Sequence, residues 1–253
     1  MTAPLLELDQ VTLRTPQRVL VEALSVTIAA GERWAVLGPN GAGKSTLLAA
    51  VAGARPVEAG TVRLAGRDVR TLPADALARE RALLADRWVD PFASSAVDTV
   101  LTARYVFRDE ADAEPNARNW LARLDCVALA ERDVRRLSRG ERQRVAIATA
   151  LAQDTPLVLL DEPTAHQDPR HQALVISVLA AETGRAQVAS LHDINAAARF
   201  ATHALLLWGD GRAHSGTADR VLTPPLLSDL FETPISRVEA DGEAFFHVHR
   251  RIA

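Results

Sequence analysis

The chain of 253 residues holds one cysteine, one methionine, one tyrosine and one lysine. A single thiol, Cys126, excludes a disulfide framework and any multi-cysteine metal site. No stretch reaches ~18 consecutive apolar residues, so a membrane-spanning helix is not expected. Met1–Gln10 carries acids and no basic start followed by an apolar run, so a secretory signal is not expected either. Both absences point to the cytoplasm. Internal repeats and low-complexity linkers are lacking. A formal net charge of −3 gives no global pull toward nucleic acid. What is present is the balance of a globular protein, with 48% apolar and 24% charged residues. The length suits one α/β domain with an inserted subdomain.

Against 28 arginines there is the one lysine, Lys44. It stands in Gly38-Pro39-Asn40-Gly41-Ala42-Gly43-Lys44-Ser45-Thr46, which matches the phosphate-binding loop pattern G-x-x-x-x-G-K-[ST]. The context agrees. Arg33–Leu37 reads as a strand, Ser45–Ala52 as a helix, and Gly53 as its stop. Such a turn aims backbone N–H groups and the helix dipole at phosphate. Lys44 would reach the β- and γ-phosphates and Ser45 would ligate Mg²⁺. The plainer alternative is a glycine-rich turn with an exposed lysine.

Three further pieces are weaker alone. Pro156–Pro163 reads as a short apolar strand ending in Asp161 and Glu162, the pattern of a buried parallel strand with carboxylates at its C-terminal end. Asp161 is placed to hold Mg²⁺, and Glu162 to polarise an attacking water. Ser138, with Glu141 three residues on, predicts a capping box, and Val145, Ala148 and Ala152 make one stripe of the helix behind it. By themselves these residues are simply a capped helix. Gln187–Ser190 reads as another strand with His192 just past its end, and a lone histidine there is usually structural.

Order and spacing carry more than the pieces do. The chain resembles the ATP-binding subunit of an ATP-binding cassette (ABC) transporter over nearly its whole length. The family's LSGGQ signature matches Leu137-Ser138-Arg139-Gly140-Glu141, the Walker B strand Leu157–Asp161, the D-loop aspartate Asp168 and the switch histidine His192. The resemblance implies an α/β fold: a P-loop NTPase, RecA-like core over about 1–85 and 136–210. An antiparallel β layer would form from Leu5–Ile28, an α-helical subdomain would be inserted at about 86–135, and a tail would span about 211–253. It implies ATP and Mg²⁺ as cofactors, with Glu162, His192 and Lys44 catalytic. ATP would contact Gly38, Pro39, Asn40, Gly41, Ala42, Gly43, Lys44, Ser45 and Thr46 of one copy. Ser138, Arg139, Gly140 and Glu141 of a second copy would close a sandwich. Integral-membrane permease subunits would be the direct partners, and a periplasmic or surface chelate-binding protein an indirect one. The chain would sit peripherally on the cytoplasmic face of the membrane.

The sequence departs from the family in three places. Asp86 stands where the Q-loop glutamine is expected, as a shorter and charged Mg²⁺ ligand or as a plain surface residue. The aromatic that would stack on adenine is missing near Thr15. Arg139 and Glu141 replace a glycine and a glutamine of the signature. Trp88 and Phe92 suit either a groove for the permease or the core of the helical subdomain.

Leu222–Phe231, Pro234-Ile235, Glu243–Phe246 and His192-Asp193-Ile194-Asn195 are similar to the ATPases of iron-siderophore, haem or cobalamin importers, with a lean to cobalamin. His247-Val248-His249 reads as alternating strand residues before it reads as a metal site. Two other readings stay open: a soluble ABC ATPase acting on ribosome or nucleic acid, and a weakly hydrolysing regulatory cassette. The first usually brings two cassettes, coiled-coil insertions or zinc cysteines, which 253 residues with one cysteine do not accommodate.

Overall fold

The computed structural model describes residues 4–85, 93–107, 112–240 and 243–249. The chain begins with β1 (Leu6–Arg14), β2 (Val19–Ile28), β3 (Arg33–Leu37), α1 (Lys44–Val51), β4 (Ala59–Leu64), β5 (Arg67–Asp68), α2 (Ala74–Glu80) and β6 (Arg81–Leu84). A helical stretch follows with α3 (Ala96–Leu101), α4 (Ala113–Arg123) and α5 (Arg139–Ala152). Then come β7 (Leu157–Asp161), α6 (Pro169–Ala181), β8 (Ala186–Ser190), α7 (Ile194–Phe200), β9 (His203–Leu207) and β10 (Ala213–Thr217). The last elements are α8 (Ala218–Val221), α9 (Pro224–Phe231), β11 (Ile235–Ala240) and β12 (Glu243–Val248).

Two sheets form the frame. The larger runs β10-β9-β3-β8-β7-β6, parallel except for the antiparallel edge strand β10. The strands β7 and β8 are buried along their whole length, as expected of parallel strands covered on both faces. The smaller sheet, β2-β1-β4-β5, is antiparallel. In β1 the buried residues Leu6, Leu8, Val11 and Leu13 alternate with exposed ones, shifted once by an irregularity in the pairing.

The core therefore has two halves. One lies between the small sheet, α1 and one face of the large sheet, and holds Leu6, Val21, Trp34, Leu47 and Leu159. The other lies under the helices and holds Leu37, Trp120, Ile147, Leu160 and Phe200. The two faces of the large sheet thus place Leu159 and Leu160 in different halves, as strand alternation requires. The carboxyl ends of β3, β7 and β8 lie side by side. Open α/β sheets place their ligand sites at such ends.

No helix among the described residues is long and apolar enough to cross a membrane. The acidic run that begins at Asp109 is described only from Asp112 on, where the chain enters α4.

Candidate functional site

The expected phosphate loop leaves β3 and enters α1, whose observed bounds, Lys44–Val51, differ by one residue at each end from the expected Ser45–Ala52. Gly53 follows it at φ 73°, the left-handed stop the sequence suggested. Gly43 caps α1 at φ 106°, a conformation L side chains rarely adopt. At Gly38 a Cβ would sit 2.3 Å from the carbonyl oxygen of Leu207, so the end of β9 presses directly against the loop. The guanidinium of Arg18 donates to the Gly41 carbonyl at 2.8 Å from the far side. Lys44 is 5% exposed and donates to the carbonyls of Gly38 at 2.8 Å and Pro39 at 3.3 Å. Burial lowers its pKa from the ordinary lysine value, and the carboxylates of Glu162 and Asp161 oppose that shift. Thr15, Gln17, Arg18, Leu20, Asn40, Gly41, Gly43, Lys44, Ser45, Thr46 and Glu162 enclose a cleft of about 430 Å³. Among the described residues its lining contains no aromatic side chain.

Asp161 and Glu162 close the other wall. Asp161 ends β7, is 4% exposed, and pairs in register with Ser190 at the end of β8. The Ser190 hydroxyl donates to Asp161 Oδ1 at 2.6 Å and accepts the Glu162 N–H at 2.9 Å. One hydroxyl thus fixes both acidic residues. Glu162 has φ 49°, which costs an L residue about 1 kcal/mol. Its carbonyl accepts from Gln143 Nε2 at 3.2 Å, so the strained turn is held from two sides. The Glu162 side chain meets His192, with Oε1 and Nε2 2.5 Å apart.

The capping box predicted at Ser138 is present. Ser138 N–H donates to Glu141 Oε2 at 2.7 Å, and Glu141 N–H donates to Ser138 Oγ at 3.3 Å. The Ser138 backbone N–H, then its hydroxyl, holds the Glu141 carboxyl below its ordinary pKa. Arg139 is exposed at the first position of α5. Behind it, buried Arg144 donates to the Leu124 carbonyl at 3.0 Å and to Gln167 Oε1 at 2.9 Å, while Gln167 Nε2 donates to the Gly140 carbonyl at 2.9 Å. Asp168 caps α6 through the His171 N–H.

The family model described as ABC transporter matches residues 21–165. The chain belongs to the ABC transporter family. A hemin import ATP-binding protein of Streptomyces coelicolor is 41% identical over 223 residues, covering 86% of this chain and 80% of that protein. A cobalamin import ATP-binding protein of Halobacterium salinarum is 39% identical over 225 residues, covering 86% of this chain and 56% of that protein. Among solved structures, an inward-facing ABC transporter of the metal-chelate type superposes with a TM-score of 0.82 at 27% identity, covering 98% of this chain and 97% of that one. The α/β cassette fold expected from the motifs is the fold observed, and the chain is an ATP-binding subunit with ATPase activity.

Within that ABC frame, the structure brings Lys44, Ser45, Thr46 and Glu162 to one cleft, with Asp161 and His192 bound to its wall. The signature residues Ser138–Glu141 do not line that cleft. Asp86, Trp88 and Phe92 lie outside the described residues. No group of three or more His, Cys, Asp or Glu residues suited to a metal occurs among the described residues. The His247 and His249 rings meet edge to face at 4.8 Å, and His249 bonds the Ser236 hydroxyl at 2.8 Å. Ser190, Arg18, Gln143 and Gln167 escaped the sequence reading. A small hydroxyl residue at the end of a buried strand is the one legible hint, for Ser190. The other three depend on packing across the fold.

Proposed function

We propose that this chain is the ATP-hydrolysing motor of an importer for a metal chelate. The carrying observation is the Glu162–His192 contact at 2.5 Å beside the Lys44 loop. It supplies a carboxylate oriented by an imidazole within reach of a phosphate seated on that loop. The residues present fit ATP and Mg²⁺. The loop offers backbone N–H groups at a helix start, and Lys44 rests on carbonyls from which a stronger anionic partner would draw it. Ser45 and Asp161 offer the one hydroxyl and one carboxylate that Mg²⁺ commonly takes beside phosphate oxygens. When bound there, Mg²⁺ would supply neutralisation of phosphate charge.

In hydrolysis, Glu162 orients a water against the γ-phosphorus and accepts its proton as the new P–O bond forms and the bond to the β-phosphate oxygen breaks. His192 fixes Glu162 in the attacking position. Lys44 and the loop N–H groups stabilise the phosphate oxygens. Ser138, Arg139, Gly140 and Glu141 close over the nucleotide of a second copy, since the α5 start and the phosphate loop do not share one cleft. The chain works on the cytoplasmic face of a membrane against permease subunits that an external chelate-binding protein feeds.

Hemin import proteins at up to 41% identity and a cobalamin import protein at 39%, the latter covered over 56% of its length, both support a chelate importer, and the sequence lean to cobalamin gains nothing from them. They favour this motor over an ATPase of ribosomes or nucleic acid. The test is uptake in a strain lacking the chain, supplied with hemin, a corrinoid or a ferric hydroxamate. Loss of uptake of one chelate, restored by the wild-type chain and not by Glu162→Gln, is expected. Unchanged uptake of all three overturns the proposal.

A further inference from the structure

The tail hairpin β11–β12 packs on α7 through a two-pronged clamp. Asn195 Nδ2 donates to the Phe246 carbonyl at 3.1 Å, and Phe246 N–H donates to Asn195 Oδ1 at 2.7 Å. Asn195 lies three residues after His192, so the clamp seizes the first turn of the helix that starts just past the histidine. On the hairpin, Arg237 stands directly opposite Phe246, and Ile235 is two residues before Arg237. Strand alternation puts these three on one face. Ile235 and Phe246 are buried at 6% and 8% exposure, and Arg237, itself exposed, edges this apolar side.

That face and α7 enclose a cleft of about 400 Å³, walled by Ala198, Leu222 and Phe246 and fringed by Arg199, Arg237 and Asp219. Arg199 is one helical turn beyond Asn195 and so points the same way; its guanidinium lies 5.7 Å from the Phe245 ring centroid. Among the described residues neither arginine has an ion-pair partner. Asp219 keeps its charge, held below the ordinary carboxylate pKa chiefly by the Thr217 hydroxyl. The cleft is thus apolar within and net positive at its mouth.

We propose that this cleft binds a small organic anion with an apolar body, its acid group between Arg199 and Arg237, and that its occupancy reaches His192 through the Asn195 clamp. Apolar walls with a few convergent charged groups are what such a ligand requires. The second half rests on the role given above to His192; the first half does not. An anion drawing Arg237 toward Arg199 tightens the hairpin on α7, and α7 begins at the residue that follows His192–Asp193.

The test titrates the full chain with anilinonaphthalene sulfonate, an apolar ring system bearing one sulfonate, and follows its fluorescence. Saturable binding is expected, weakened about tenfold or more in the double variant Arg199→Gln/Arg237→Gln and unchanged in the remote variant Arg67→Gln. The uncharged N-phenylnaphthylamine is expected to bind no better to wild type than to the double variant. Equal sulfonate affinity in wild type and double variant, or wild type binding the uncharged body as tightly as the sulfonate, overturns the site. Saturating sulfonate is expected to change phosphate release from ATP at least about twofold in wild type and not in Asn195→Ala. An unchanged wild-type rate overturns the coupling. A chain that releases no phosphate even without the probe counts against the proposed function, while the binding comparison still decides the site.

Discussion

Glu162 is constrained at every atom that matters. Its N–H goes to Ser190, its carbonyl accepts from Gln143, and its carboxylate meets His192, all at a left-handed backbone position. Removing only the basic oxygen should therefore leave the site standing. Glu162→Gln is expected to bind ATP with near wild-type affinity and to lower the hydrolysis rate about 100-fold or more. Nucleotide titration with phosphate-release assays checks this, and wild-type turnover would refute the role of Glu162. Ser190→Ala removes one hydroxyl that serves both Asp161 and Glu162. It is expected to cost about 1–3 kcal/mol of stability and to raise the Mg²⁺ concentration needed for half-maximal hydrolysis. Denaturant unfolding and a Mg²⁺ titration measure the two effects. The sequence showed Asp161, Glu162 and His192 but not Ser190, because that clamp depends on β7 and β8 being neighbours in register.

At the scale of elements, local signals were read well and long-range ones were not. The strand β3 has the bounds its apolar run suggests, β7 has those the Walker B resemblance implies, and α5 begins at the predicted capping box. Such features are set by residues within one or two turns of one another. The hydrogen bonds from Arg144 to Leu124 and to Gln167 join segments separated by 20 and 23 residues, and no local pattern announces them.

The capping box carries two measurable consequences. Ser138→Ala is expected to destabilise the chain by about 1 kcal/mol, read as a lower midpoint in chemical denaturation. The folded pKa of Glu141 lies below its unfolded value, so its stabilisation is full above the ordinary glutamate value of ~4.3 and is lost as pH falls through the folded value. The stability gap between wild type and Glu141→Gln should accordingly be present at neutral pH and close in acid. A gap that persisted below the folded value would contradict this. At the same helix start, Arg139→Gly restores the family residue. It is expected to change hydrolysis by the dimer while leaving ATP binding to the single chain intact, since Arg139 does not line the Lys44 cleft.

Over the whole molecule, the fold was legible because nucleotide chemistry forces glycine, lysine and paired carboxylates to fixed places on a parallel sheet. The departures from the family pattern remain part of the molecule's character. Among the described residues the cleft wall at Thr15 has no ring to stack on a base, and Arg18 reaches the loop at the Gly41 carbonyl. The chelate was not legible, because an ATP-binding subunit and the cargo of its permease are read from different chains.

The measurement that tests this account most directly is recovery of the tagged chain from native membranes in mild detergent, with identification of what accompanies it. The account predicts two copies of this chain with two copies of a multi-span membrane protein. Recovery from the soluble fraction alone, with ribosomes, nucleic acid or no partner, would contradict it.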